Sequence, residues 1–195
     1  MIDVTVIIIT YKSEKIIYDF IKKIPQNIKV IIIENSKNYY LKKEIEEKYK
    51  NIEVYLKENN GVSISLNFAV DQIKTKYFLQ ISPDINFNFE DINFFISFAK
   101  EKKDKFAVLG PRFLDVKEKS HKQIDENLEF GKIDSIHGSC MFINKEVFLQ
   151  IGKFDENFFL YFEETEYCYR AKKKGFNSYQ INKSTVKFLC ILVDI

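Results

Sequence analysis

Lys76-Tyr77-Phe78-Leu79-Gln80-Ile81-Ser82-Pro83-Asp84 is the stretch on which the reading of the chain turns. Tyr77 to Ile81 is an aromatic and aliphatic run long enough for a buried strand, and it stops abruptly at Ser82-Pro83. Asp84 then stands at the C-terminal end of that strand. In open α/β sheets, ligands bind in the crevice beyond the carboxyl ends of the strands. A carboxylate presented there by a proline-stiffened turn can hold a metal or a sugar hydroxyl. Ser-Pro-Asp is also an ordinary turn, so the flanking sequence has to decide between the two.

Working outward, Val4 to Thr10 is a near-continuous β-branched run, the mark of a strand covered on both faces. Ser13 is placed to cap a helix that carries Ile16, Ile17, Phe20, Ile21 and Ile24 at helical spacing and stops by Pro25. Lys29 to Ile33 reads as a second buried strand ending in Glu34-Asn35-Ser36. A charged helix from Tyr40 to Lys50, a strand from Ile52 to Leu56, the turn Asn59-Asn60-Gly61 and a helix from Ser63 to Ile73 lead back to the opening stretch. Strand and helix alternate four times, which predicts a mainly parallel, doubly wound α/β sheet with flanking helices. Beyond Asp84 the pattern predicts a helix over Glu90–Lys100 and a strand at Ala107-Val108-Leu109 closed by Gly110-Pro111. From Arg112 to Lys132 periodicity fades into a polar loop, too long for a compact domain unless it is functional or mobile. A strand over His137–Ile143, a short helix over Lys145–Gln150 ending at Gly152, the aromatic run Phe158–Phe162 and a helix from Glu163 to Lys172-Lys173-Lys174 follow.

Composition bounds what such a sheet can serve. The chain has 195 residues, 46% hydrophobic and 30% charged, which suits a single globular domain over residues 1–195 with no internal boundary. A net charge of +2 is too small for nucleic acid to be the main partner. Lys100, Lys102, Lys103 and Lys105 read as a solvated helix end. The cysteines Cys140, Cys168 and Cys190 are odd in number and widely spaced, which fits neither a disulfide framework nor a zinc site and points to a reducing compartment. No signal-peptide pattern opens the chain, and no apolar run approaches the ~20 residues of a membrane span. The protein therefore reads as cytoplasmic.

With six glycines in all, the chain has no Gly-x-Gly-x-x-Gly after the first strand and no phosphate loop. No His-Glu-x-x-His motif or nucleophile elbow is present, and His121 and His137 read as surface or turn residues. The positive signal is carboxylates at strand ends. Glu34 ends the second strand and Asp84 follows the fourth, so in a parallel sheet both open onto one edge. Glu163, Glu164 and Glu166 form a third acidic group at a helix start. That group suits the helix dipole, and Glu166 with Arg170 makes an i,i+4 pair. The apolar run just before it has no such explanation: an aromatic wall beside paired carboxylates lowers the local dielectric and raises a carboxyl pKa, which suits a general base.

These residues carry a resemblance. The chain is similar to the family 2 glycosyltransferases of the GT-A fold, the nucleotide-diphospho-sugar transferase fold, close to the bacterial rhamnosyltransferase-like group. Ile9-Thr10-Tyr11-Lys12 resembles the family's Thr-Tyr-Asn after the first strand. Glu34-Asn35-Ser36-Lys37 resembles its Asp-Asn-x-Ser, and Asn59-Asn60-Gly61 with Asn67 its turn and following helix. Ile81-Ser82-Pro83-Asp84 aligns with Leu-Asn-Pro-Asp, the group's form of the metal-binding Asp-x-Asp. Gly110-Pro111-Arg112 and Gly138-Ser139-Cys140-Met141 also match. The most specific segment is Gly152 to Cys168, which resembles Gly-Gly-Phe-Asp-Glu-x-Phe-Phe-Leu-Tyr-Phe-Glu-Asp-x-Asp-Leu-Cys. In order and spacing the likeness runs from about residue 3 to 188.

The resemblance implies a hexosyltransferase-type enzyme that transfers a sugar with inversion, assisted by a divalent cation (Mn²⁺ or Mg²⁺), as in polysaccharide biosynthesis. It implies a nucleotide-sugar donor and a glycan or lipid-linked acceptor, and so leaves room for peripheral membrane association at the inner face of the cell membrane. By carry-over, Thr10, Tyr11, Glu34 and Asn67 would bind the donor and Asp84 the cation. Glu164 would be the base that deprotonates the acceptor, with Gly138, Ser139 and Glu163 on the acceptor side. Three departures bear on this. Ser82 replaces the first ligand position of the metal motif. Glu34 and Glu164 are each one methylene longer than the family's aspartate, and a shift of ~1 Å can cost roughly 10²-fold in rate. Val186-Lys187-Phe188 stands where many members have Val-x-His, whose histidine helps hold the metal, and the chain ends soon after, at Ile195. Phe188 and the short C-terminus favour the alternative, a non-catalytic or decayed nucleotide-sugar-binding relative of the same fold. The closing run Phe188–Val193 reads as either a core strand or a truncation scar.

Overall fold

A computed structural model describes residues 3–116 and 122–189. His121, Cys190 and the apolar run beyond Leu189 therefore lie outside the described residues. The β-branched run at the start forms β1 (Val4–Thr10), followed by α1 (Glu14–Ile21), β2 (Lys29–Glu34), α2 (Tyr39–Lys48), β3 (Ile52–Leu56), α3 (Val62–Gln72) and β4 (Tyr77–Ile81). These four strands are parallel in the order β3-β2-β1-β4, with Thr10 beside Glu34 and Ile7 beside Gln80. Ser13 does not cap α1 with its side chain; its hydroxyl donates to the Tyr11 carbonyl instead. Asn38 caps α2, accepting from the Leu41 N–H.

The second half is mixed. A two-residue strand β5 (Ile85–Asn86) and a 3-10 turn (Phe89–Asp91) precede α4 (Ile92–Glu101). The strand expected at Ala107-Val108-Leu109 is displaced: β6 is Leu109–Phe113 and runs through Gly110-Pro111. Pro111 is tolerated because the register shifts between Pro111 and Arg112, so its missing N–H falls at an irregularity rather than in a regular ladder. The region expected to be one long loop contains β7 (Phe130–Ile133), and Gln123 bonds both the N–H and the C=O of Phe113. Next come β8 (Cys140–Asn144), α5 (Lys145–Ile151), α6 (Glu163–Lys173) and β9 (Ser178–Phe188). The sequence reading assigned no element to β9, which pairs with β5, β6 and β7 and completes the order β3-β2-β1-β4-β8-β6-β9-β5.

Period-2 alternation divides the core between the two sheet faces. Val6, Ile8, Val30, Ile32 and Leu79 face α1, α2 and α4, packing with Phe20, Leu41, Ile45 and Phe95. Ile7, Ile31, Ile33 and Phe78 face α3, α5 and α6, packing with Leu66, Phe148 and Tyr167. Covering on both faces is why β1 and β2 read as continuous apolar runs. Cys140 and Cys168 are buried free thiols, one against each face.

Candidate functional site

The parallel register sets the first part of the site. Thr10, Glu34 and the turn after Ile81 share the carboxyl edge of the sheet. Thr10 is buried with its hydroxyl toward the Ile33 carbonyl (3.4 Å), whereas Tyr11 is 49% exposed. Glu34 is 1% exposed, and its carboxylate closes a local turn. Oε1 accepts from the Ser36 N–H (3.0 Å) and from the Ser36 hydroxyl, and Oε2 accepts from the Asn38 N–H (2.6 Å). The carboxylate therefore folds back on its own chain. Behind it, Asn35 donates to the Ser65 hydroxyl (2.9 Å), which donates to the Gly61 carbonyl (2.9 Å).

Asn67 is placed differently from the donor-binding expectation. Its Nδ2 donates to the Phe154 carbonyl (2.9 Å) and to Glu156 Oε1 (3.0 Å), and its Oδ1 accepts from the Phe154 N–H (3.1 Å). At 3% exposure, the amide is a clamp between α3 and the segment leading to the acidic helix. Family spacing identified the position, but spacing cannot show which way a side chain faces.

Asp84 lies at the other end of the edge, half-buried, with Oδ1 enclosed and without a hydrogen-bond partner. Burial pushes its carboxyl above the ordinary aspartate range, partly offset by its own backbone N–H. A buried carboxylate oxygen with nothing to neutralise it fits a cation site. Two contacts fix its turn: Leu189 N–H donates to the Asp84 carbonyl (2.7 Å), and Ser82 N–H donates to the Ser139 carbonyl (2.9 Å). Among the described residues, no three His, Cys, Asp or Glu side chains group as a metal cage. Phe188 pairs with Ile85, next to Asp84, so the position resembling the family's histidine is at the site but carries a phenyl ring.

The Ser139 contact brings in the acidic helix. Gly138 sits so close to it that an added Cβ would lie 3.5 Å from Glu164 Oε2 and 3.6 Å from Glu163 Oε1. The turn after β4, which carries Asp84, is thus tied to the turn before β8, whose Gly138 lies against Glu163 and Glu164 at the start of α6. Glu163 is 5% exposed with Oε2 unpartnered. Its pKa is raised first by burial and then by the negative charge of Glu164, against a lowering by its own backbone N–H. Glu164 is more open, with Oε1 accepting from the Thr165 hydroxyl (3.2 Å). Glu166 is held apart by a two-pronged pair with Arg170, at 2.8 Å to Nε and 2.8 Å to Nη2. Arg170 also donates to the Ile151, Gly152 and Lys153 carbonyls, which locks α6 onto the chain after α5.

One expectation changes here. The aromatic run beside the carboxylates is itself open to solvent, Phe159, Leu160, Tyr161 and Phe162 being 49–70% exposed, whereas Glu163 is buried. His137, read as a surface or turn residue, opens the turn into β8, its carbonyl accepting from the Cys140 N–H (3.1 Å); its ring is half-buried between Phe113 (ring centroids 4.5 Å) and Phe188 (5.5 Å), and its Nδ1 accepts from the Ser139 N–H (3.2 Å). Its place directly before Gly138-Ser139 was the available signal. A separate cavity of about 200 Å³ lies between β7 and α6, lined by Lys122, Lys132, Lys172 and Cys168, and none of the expected site residues borders it.

The mixed sheet with helices on both faces, and a constellation at the strand ends, define the GT-A fold. Mannosyltransferase PcManGT from Pyrobaculum calidifontis, solved with GDP-Man and Mn²⁺, superposes with a TM-score of 0.81 at 12% identity over 98% of this chain and 58% of its own. The family model described as Glycosyl transferase family 2 matches residues 5–152, and the chain belongs to that family. Curated relatives include the low-salt glycan biosynthesis hexosyltransferase Agl10 of Haloferax volcanii, 27% identical over 90% of this chain and 63% of its own length. Rhamnosyltransferase WbbL of Escherichia coli is 24% identical over 88% of this chain and 78% of its own length. No helix among the described residues is long and apolar enough to cross a membrane.

Proposed function

We propose that the chain transfers a sugar, with inversion, from a nucleoside-diphosphate sugar to a hydroxyl of a glycan or lipid-linked acceptor. The observation that carries this is an unneutralised, half-buried Asp84 whose turn is tied by the Ser82–Ser139 hydrogen bond to Gly138, which lies against the Glu163–Glu164 pair. Asp84 would hold a divalent cation, whose charge would offset that of the departing nucleoside diphosphate. A lone carboxylate suits a cation held largely by the donor's own phosphates; the relative solved with GDP-Man and Mn²⁺ supports such a pairing. Thr10, Tyr11 and Glu34 line the donor side, with Glu34 shaping the turn, while Asn67 positions the acidic segment.

Glu164, the more open acid, takes the acceptor proton as the hydroxyl attacks the anomeric carbon. Glu163 beside it, enclosed and partly desolvated, holds its neighbour's environment electronegative. A base on the face opposite the leaving diphosphate gives a single displacement with inversion. Asp84→Ala should abolish turnover and remove the Mn²⁺-dependent part of nucleoside-diphosphate binding in a thermal-shift titration. Glu164→Gln should keep that binding and lose transfer by about 10²-fold or more. Full activity in Asp84→Ala refutes the cation role, and retained transfer in Glu164→Gln moves the base to Glu163. Phe188 beside Asp84 favours a second reading, a binding module that holds the donor without turnover. That reading gains if donor and Mn²⁺ stabilise the protein while no acceptor is ever glycosylated.

A further inference from the structure

Phe159, Leu160, Tyr161 and Phe162 are exposed by 54%, 49%, 70% and 67%, four consecutive apolar or aromatic side chains open to solvent directly before Glu163. The backbone beneath them is held at both ends. Val62 N–H donates to the Phe159 carbonyl (2.7 Å), and Glu166 N–H donates to the Phe162 carbonyl (2.9 Å). Gly61 makes the first contact possible, because a Cβ there would lie 2.8 Å from the Phe159 Cα. Between the anchors, Tyr161 and Phe162 have φ of 68° and 69°, the left-handed region, which costs an L-residue roughly 1–2 kcal/mol each. Folding gains little from these residues, since their rings are left in water. Strain and exposed apolar surface together at the edge of a site point to a ligand.

The charge around the run identifies that ligand's chemistry. Asp155, Glu156, Glu163 and Glu164 flank it, Glu166 being paired with Arg170, and no lysine or arginine occurs between Lys153 and Arg170. A phosphate headgroup, a lipid diphosphate or an acidic peptide would be repelled from this rim. An uncharged pyranose fits it. Its C–H face is weakly positive and packs on the electron-rich faces of aromatic rings, while its hydroxyls donate to the carboxylates. We infer that Tyr161 and Phe162 are the platform on which the acceptor lays an uncharged sugar ring, presenting a hydroxyl to Glu164. This rests on the transferase reading above and adds to it the class of acceptor: a neutral glycan terminus rather than a charged group.

The chain has no tryptophan, so Phe162→Trp supplies a single fluorescent reporter, with Tyr161→Trp as the replacement if the first variant does not fold. The probes are uncharged methyl glycosides (rhamnoside, mannoside, galactoside, N-acetylglucosaminide), glucuronic acid, and phosphatidylglycerol vesicles. At least one neutral glycoside should shift or quench the emission saturably, and glucuronic acid and vesicles should not. Phe162→Ala should raise KM for the responding glycoside roughly tenfold, the worth of one aromatic contact, with nucleoside-diphosphate binding unchanged. A response to vesicles but not to glycosides overturns the inference in favour of a lipid surface. Silence toward every probe, or an unchanged KM in Phe162→Ala, also overturns it. If UDP, GDP and dTDP still bind in those cases, only the platform fails; if none binds the unmodified chain, the transferase reading itself fails.

Discussion

Replacing Glu163 by Gln removes one negative charge from a side chain that is 5% exposed and whose Oε2 has no hydrogen-bond partner. Burial and the neighbouring Glu164 raise its folded-state pKa. Between the ordinary glutamate range and that raised value, the folded protein binds more protons than the unfolded chain. Stability is therefore greatest at low pH and falls as pH rises through the folded pKa. The amide has the same shape and avoids this loss, although it inherits part of the cost of an unpaired polar group, about 1–3 kcal/mol. Any net gain at neutral pH reads as roughly 2–4 °C in Tm per kcal/mol for a chain of this length. Melting followed by circular dichroism from pH 4 to pH 8, for both proteins, reads the difference directly. The curves should converge at the acid end, where the native side chain is also protonated, and separate as pH rises. Asp84, raised by burial in the same sense, contributes a slope of the same sign to both curves. A Glu163→Gln protein less stable at neutral pH, or shifted equally at all pH values, would refute the reasoning and show that the fold uses the charge. The stabilised protein should transfer poorly, because the desolvated acid serves the site rather than the fold.

Asn67→Ala leaves the Phe154 N–H and C=O without the amide that satisfies them. It should cost about 2–4 kcal/mol in urea unfolding, and a loss under 1 kcal/mol would show that the clamp is dispensable. Gly61→Ala places a Cβ 2.7 Å from the Phe159 carbonyl oxygen at φ +101°. It should displace the aromatic segment and lower turnover more than it lowers nucleoside-diphosphate binding, which steady-state kinetics and a thermal-shift titration separate. Because Asp84 must lose its proton to ligate a cation and burial opposes that loss, Mn²⁺ affinity should fall as pH drops toward the carboxylate range; isothermal titration would detect a pH-independent affinity that contradicts this.

Much of the first half of the fold was legible because its signals are local. Val4–Thr10 and Lys29–Ile33 are apolar runs that only a strand covered on both sides can bury, and alternation with helices dictates parallel pairing. The second half was less legible. β9 (Ser178–Phe188) mixes polar and apolar residues and is held as a strand by β5, β6 and β7, all distant in the chain. Pro111 looked like a strand end, and only the irregular register with β9 lets it sit inside one.

The site divides along the same line. Sequence by itself placed Glu34 and Asp84 on one sheet edge, since both end parallel strands, and put Glu163, Glu164 and Glu166 in the first turn of a helix. Tertiary structure alone decided what each group has for partners. It closed Glu34 onto Ser36 and Asn38, turned Asn67 toward Phe154, paired Glu166 with Arg170, and left Asp84 and Glu163 each with an unneutralised oxygen. It also left the aromatic run beside the carboxylates open to solvent. Strand pairing follows from periodicity along the chain; solvation and hydrogen-bond partners depend on which distant segments the packed sheet brings together.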